Sequence, residues 1–146
     1  MHNALKFAGT VSAIAAIALI GAPASAATMA MKATLNAGSE VPPNQSRGTG
    51  TATVTLDNTT RQLTWNLQYS GLTGPATAAH FHCPADPGAN AGVAVPITGS
   101  LASPVQGSAT VTEAQMNDLM NGKCYINIHT DQNKAGEIRG QVVRAQ

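Results

Sequence analysis

The sequence predicts an all-β domain, a Greek-key sandwich or barrel with one short helix, and three observations carry that prediction. Two segments alternate apolar and polar residues with a period of two. Short strand-like runs recur between turns rich in Gly, Asn, Asp and Thr. Only one stretch carries the start and stop signals of a helix.

Met29 to Leu35 reads as the first strand and gives way to the turn Gly38-Ser39-Glu40-Val41-Pro42-Pro43. Two prolines stiffen that turn and bar it from a central strand; Glu40 is read as a turn residue, with a ligand role as the alternative. Thr49 to Leu56 places Ala52, Val54 and Leu56 on one face and Thr51, Thr53 and Thr55 on the other. Asp57-Asn58-Thr59-Thr60 is a hairpin turn by composition. In the next strand Leu63, Trp65, Leu67 and Tyr69 point inward, so Trp65 belongs to the core, while Gln62, Thr64, Asn66 and Gln68 point outward. Further strands are Ala76 to Cys83, Val93 to Ile97, Gly107 to Val111, Cys124 to Thr130 and Gly136 to Val143. The last of these turns Ile138 inward and Glu137, Arg139 and Gln141 outward, which reads as an exposed cross-strand charge pair. The one helix, Glu113 to Asn121, starts at the capping box Thr112-Glu113-Ala114-Gln115 and stops before Gly122, with Met116, Leu119 and Met120 as its apolar side.

The chain opens with a basic Lys6, an uncharged apolar run from Phe7 to Ile20 and the small residues Ala24-Ser25-Ala26. That is the pattern of a secretory signal peptide over residues 1–26. Gly21 and Pro23 cut the run short of the roughly 20 residues a membrane span needs, and an uncleaved anchor is the alternative. Residues 27–146 then form one domain, secreted or periplasmic, with no membrane attachment after cleavage. Its basic residues (Lys32, Arg47, Arg61, Lys123, Lys134, Arg139, Arg144) balance its acids (Glu40, Asp57, Asp86, Glu113, Asp118, Asp131, Glu137). Neither sign clusters, so the basic stripe that a nucleic-acid binder needs is missing. The Ser and Thr residues fit strand and turn chemistry, and no nucleophile–base set or phosphate-cradling glycine loop stands out.

Cys83 and Cys124 are the two cysteines. In an oxidising compartment they are expected to pair, closing a loop of about 40 residues worth roughly 4 kcal/mol on the chain-entropy account. The alternative is a thiol that ligates a metal. Around them lies the chemistry of the chain. In Ala79-His80-Phe81-His82-Cys83, strand parity sends both imidazoles to one face, with Cα atoms about 6.6 Å apart, and Phe81 and Cys83 to the core. In Cys124-Tyr125-Ile126-Asn127-Ile128-His129, the isoleucines mark the core face, so Cys124 goes inward and His129 outward with Asn127. Both segments give one answer independently: cysteines inside, histidines outside. A Cys83–Cys124 bridge would bring His82 and His129 together on the opposite side. Three neutral imidazoles suit Cu(II) or Zn(II), so His80, His82 and His129 form a candidate metal site, copper first and zinc second. Glu137 and Asp131 are candidates to orient an imidazole from behind. Solvent-facing histidines with no ion remain the other reading.

Three stretches, in order, resemble the CHRD domain, the chordin-type domain of many secreted microbial proteins. They are Leu35-Asn36-Ala37-Gly38-Ser39-Glu40-Val41-Pro42-Pro43, Ala79-His80-Phe81-His82 with its Gly-rich continuation, and Tyr125-Ile126-Asn127-Ile128-His129-Thr130 running into Gly136-Glu137-Ile138-Arg139-Gly140-Gln141. The resemblance spans the chain beyond the signal and implies an extracytoplasmic compartment. The histidine arrangement is also similar to that of copper–zinc superoxide dismutase, an immunoglobulin-like Greek-key barrel in which a His-x-His pair and a late His hold copper on the outer wall. His80, His82 and His129 match in order and parity, but no histidine bridges to a zinc and no His-rich zinc loop is present. Three readings follow: a metal-binding module, an interaction or structural module with an extracellular or periplasmic protein partner, and a dismutase-like redox enzyme.

Overall fold

The computed structural model describes residues 27–146; the expected signal peptide, residues 1–26, lies outside the described residues. The strands are β1 (Thr28–Asn36), β2 (Thr49–Asp57), β3 (Gln62–Ser70), β4 (Ala78–His82), β5 (Val93–Pro96), β6 (Val105–Thr110), β7 (Tyr125–His129), β8 (Ile138–Gln141) and β9 (Val143–Arg144). One helix, α1 (Glu113–Met120), links β6 to β7. The all-β expectation, with one short helix, is met.

The alternating pattern builds the β2–β3 hairpin in register, pairing Leu56 with Leu63, Val54 with Trp65 and Ala52 with Leu67. All six are buried. The turn between them closes on Asp57, whose Oδ1 accepts from the Thr59 and Thr60 backbone N–H groups at 2.8 and 2.9 Å; an Asp side chain mimics a backbone turn in this way. The sheet runs β5-β4-β7-β8-β1-β2-β3-β6, with β9 also on β1. Strand β7 returns through α1 to lie beside β4, with β5 and β6 between them in the chain, which is the Greek-key step.

The sheet curls until β3 and β4 face each other across the interior, where the Trp65 and Phe81 rings meet at 5.3 Å between centroids. Leu35, Leu56, Leu63, Leu67, Phe81, Ile126, Ile128, Ile138 and Val142 fill that interior at 0 % exposure. Gly107 on β6 pairs with Trp65, and a Cβ there would stand 2.5 Å from the indole, so glycine makes room for the ring.

Among the described residues the barrel stays unzipped at one seam, because β5 and β6 end the strand order without pairing. Helix α1 sits after β6 and reaches that seam: the Gln115 side-chain amide donates to the Ala94 carbonyl of β5 at 2.9 Å. The helix begins at the expected capping box, with Thr112 and Gln115 bonding reciprocally, and ends before Gly122 at φ 68°. Leu119 is its one buried residue, with Met116 and Met120 packed partly against the core.

The expected final strand breaks in two. The Val142 N–H donates to the Cys124 carbonyl at 2.8 Å and its side chain is fully buried, after which residues 143–144 pair with β1 instead. Cys83 and Cys124, at the ends of β4 and β7, are joined with their Cα atoms 4.6 Å apart.

Candidate metal centre

Strands β4 and β7 pair antiparallel with His80 opposite Asn127, His82 opposite Tyr125 and Ala78 opposite His129. Directly paired residues share a face, and so do residues two apart on one strand. His80, His82, Tyr125, Asn127 and His129 therefore emerge on one side, away from Phe81, Ile126 and Ile128. One ring nitrogen from each of His80, His82 and His129 falls in a cluster whose members all lie within 4.8 Å of one another. His80 Nδ1 is 3.1 Å from His129 Nε2.

Hydrogen bonds to the backbone set two of the rings. His82 Nδ1 donates to the Ala91 carbonyl and His129 Nδ1 to the Lys134 carbonyl, each at 2.9 Å. A neutral imidazole has one donor, so both Nε2 atoms are left as lone pairs, the form that ligates a metal. Burial holds the pKa of His80 and of His82 below the usual histidine range. For His80 the fields of His129 and His82 add to it; for His82 burial outweighs the opposing effect of the Ala91 carbonyl. Both rings are thus kept neutral.

The site is not on open surface. The sequence pattern puts these residues on the outer wall, and they are there, but the loop from Cys83 to Gly92 roofs that wall. His82 is only 8 % exposed, Asn127 3 % and Arg139 2 %. The Tyr125 ring stacks on His82 at 4.7 Å and 8°, and the Arg139 guanidinium lies 3.4 Å from its centroid, a cation–π contact. Arg139 also donates to Asn90 Oδ1 at 3.0 Å and to the Ala89 carbonyl at 2.6 Å, tying the loop down from β8.

The exposed charge pair expected on the last strand is therefore absent. Glu137 has 0 % exposure and, among the described residues, forms no salt bridge. Its carboxylate accepts from Ser46 Oγ at 2.6 Å, the Thr73 N–H and Oγ1 at 2.7 Å each, and Thr130 Oγ1 at 2.5 Å. Burial pushes the Glu137 carboxyl up, and these hydrogen bonds outweigh it, bringing the pKa down to about 2. Its work is to pin three loops together beside His129. It does not orient an imidazole, and Asp131 stays exposed while His129 Nδ1 takes the Lys134 carbonyl. Glu40, read from the sequence as a turn residue, is buried as well. Its Oε1 has no hydrogen-bond partner, and it packs where any side chain at Gly136 would collide. Burial pushes its pKa up to about 7, against the opposing pull of Arg139.

Sequence reasoning passed over Asn127 and Tyr125. Asn127 Oδ1 stands 3.0 Å from both His82 Nε2 and His129 Nε2, at the centre of the cluster. The signal was present, since Asn127 shares the parity of His129, but a polar residue on the outer face of a strand reads as ordinary.

The fold and the site together define a small Greek-key barrel carrying a roofed histidine cluster on its outer wall. A family model for the CHRD domain matches residues 31–142, and the chain belongs to that family. No match emerges among curated proteins or among solved structures.

Proposed function

We propose that this is an exported CHRD-domain protein, secreted or periplasmic, whose domain over residues 27–146 binds a transition metal through His80, His82 and His129, copper first and zinc second. The supporting observation is the convergence of three imidazole nitrogens, two of them with tautomers preset by backbone carbonyls. Export is supported by the apolar, small-residue N-terminal pattern and by the joined cysteines. Among the described residues no helix is long and apolar enough to cross a membrane. A dismutase-type centre with two metals is not part of the proposal, because residues 27–146 hold no fourth histidine to bridge them.

The test is the metal content of untagged protein exported by its own leader, beside a variant with all three histidines changed to Ala. The wild type should carry close to one Cu(II) or Zn(II) per chain and the variant none. Equal metal content in the two overturns the reading and leaves an interaction module whose histidines do not bind metal.

A further inference from the structure

We propose that Asn127 is the fourth ligand of this site, its carboxamide oxygen completing a tetragonal set of three nitrogens and one oxygen suited to Cu(II). The inference rests on the three-histidine reading and adds the ligand that sets the geometry.

The first argument is a count of hydrogens. His82 and His129 each spend their single N–H on a backbone carbonyl, so each Nε2 is a lone pair. Asn127 Oδ1 faces both of these atoms at 3.0 Å, and an amide oxygen carries lone pairs only. Oriented with its oxygen toward the rings, as it stands here, the carboxamide brings no hydrogen to either Nε2, and a cation lying between them would be bound by all three atoms.

The second argument is spacing. Donors about 2.0–2.1 Å from a shared ion stand about 2.9 Å apart when their bonds meet at right angles, and about 3.4 Å apart in a tetrahedron. The consecutive separations here are 3.0 Å from His82 Nε2 to Asn127 Oδ1, 3.0 Å from there to His129 Nε2, and 3.1 Å on to His80 Nδ1. All three lie nearer the right-angle value than the tetrahedral one. Tetragonal nitrogen–oxygen sets are the signature of Cu(II), whereas structural Zn(II) takes a tetrahedron.

The third argument is support. Asn127 is 3 % exposed and held on the central strand of three, so its side chain is fixed by packing.

The experiment is a competitive Cu(II) titration with electron paramagnetic resonance on wild type, Asn127→Ala, Asn127→Asp and the triple His→Ala variant. Wild type should give an axial tetragonal spectrum with coupling to three imidazole nitrogens. Asn127→Ala should keep the three-nitrogen coupling, shift the parallel g value and bind Cu(II) at least about ten-fold more weakly. Asn127→Asp, which places an anionic oxygen at the same point, should bind more tightly than wild type and keep the tetragonal spectrum. If both Asn127 variants match wild type in spectrum and affinity, the inference is overturned and the three-histidine site stands. In that case the carboxamide serves as a hydrogen-bond donor to the Nε2 atoms, with its NH2 turned toward them. If wild type takes up no more Cu(II) than the triple variant, the three-histidine reading itself has failed. Should Asn127→Ala lose its near-ultraviolet dichroism, the near-isosteric Asp variant decides alone, and an unchanged spectrum and affinity there overturns the inference.

Discussion

On the outer side of β2 and β3, Thr51, Thr53, Thr64 and Gln68 stand in solvent, while on the outer side of β4, β7 and β8 the equivalent positions are His82, Tyr125, Asn127 and Arg139, all buried. Both halves of the barrel obey the same alternation, and both send apolar side chains to one interior. The difference lies in what crosses the outer face. The β2–β3 hairpin closes in a four-residue turn that covers nothing. The connections that follow β4 and β1 instead fold back over the sheet and bond to it through Arg139, Gln141 and Asn44. Alternation therefore decides which way a side chain faces, and the loops decide whether that direction is wet. The second half has two cores, one apolar inside and one polar outside, and the polar one holds His82, with His80 and His129 half-buried beside it.

The comparison breaks first at the disulfide. Replacing Cys83 and Cys124 together by Ala should cost roughly 4 kcal/mol in urea unfolding, the worth of closing a loop of about 40 residues. A loss below about 1 kcal/mol would mean that the roof is held by its hydrogen bonds alone.

Acid comes next. Glu137 has a folded pKa of about 2 against 4.5 for the free side chain, so the folded chain binds fewer protons than the unfolded one. Its contribution is complete above pH 4.5 and is lost as the pH falls through that value toward 2. Stability should drop by on the order of 3 kcal/mol across that window, and Glu137→Gln should flatten this part of the profile. An unchanged acid limb in the variant would remove Glu137 from the account.

Arg139→Met keeps the stem over Tyr125 but deletes the bonds to Asn90 and Ala89. It should cost about 2–3 kcal/mol and speed amide exchange in residues 84–92. On the bare face, Thr53→Ala should stay within about 0.5 kcal/mol. A larger effect there would show that this half, too, is covered in solution.

The strands, the capped helix and the shared face of the three histidines were legible because each follows from a local period or a local cap. The Glu137 and Arg139 environments were not. Alternation around Ile138 assigns both to the outer face, correctly, and exposure was then assumed for charged residues. What buries them comes from residues 44–48, 73 and 89–90, distant in sequence and without any periodic signal. The same limit hid Asn127. Its parity was readable, but its place at the centre of the cluster depends on which residue of β4 it faces. That register needs both strands and the 41-residue separation closed between Cys83 and Cys124.

The seam between β5 and β6 has a consequence for how the protein behaves in a crowd. An open sheet offers two edges on which other chains can grow by strand addition. Here β5 is only four residues long and ends in Pro96, which has no N–H to offer, and the Gln115 amide of α1 already occupies its Ala94 carbonyl. The helix that interrupts closure thus also blocks strand addition at the β5 edge.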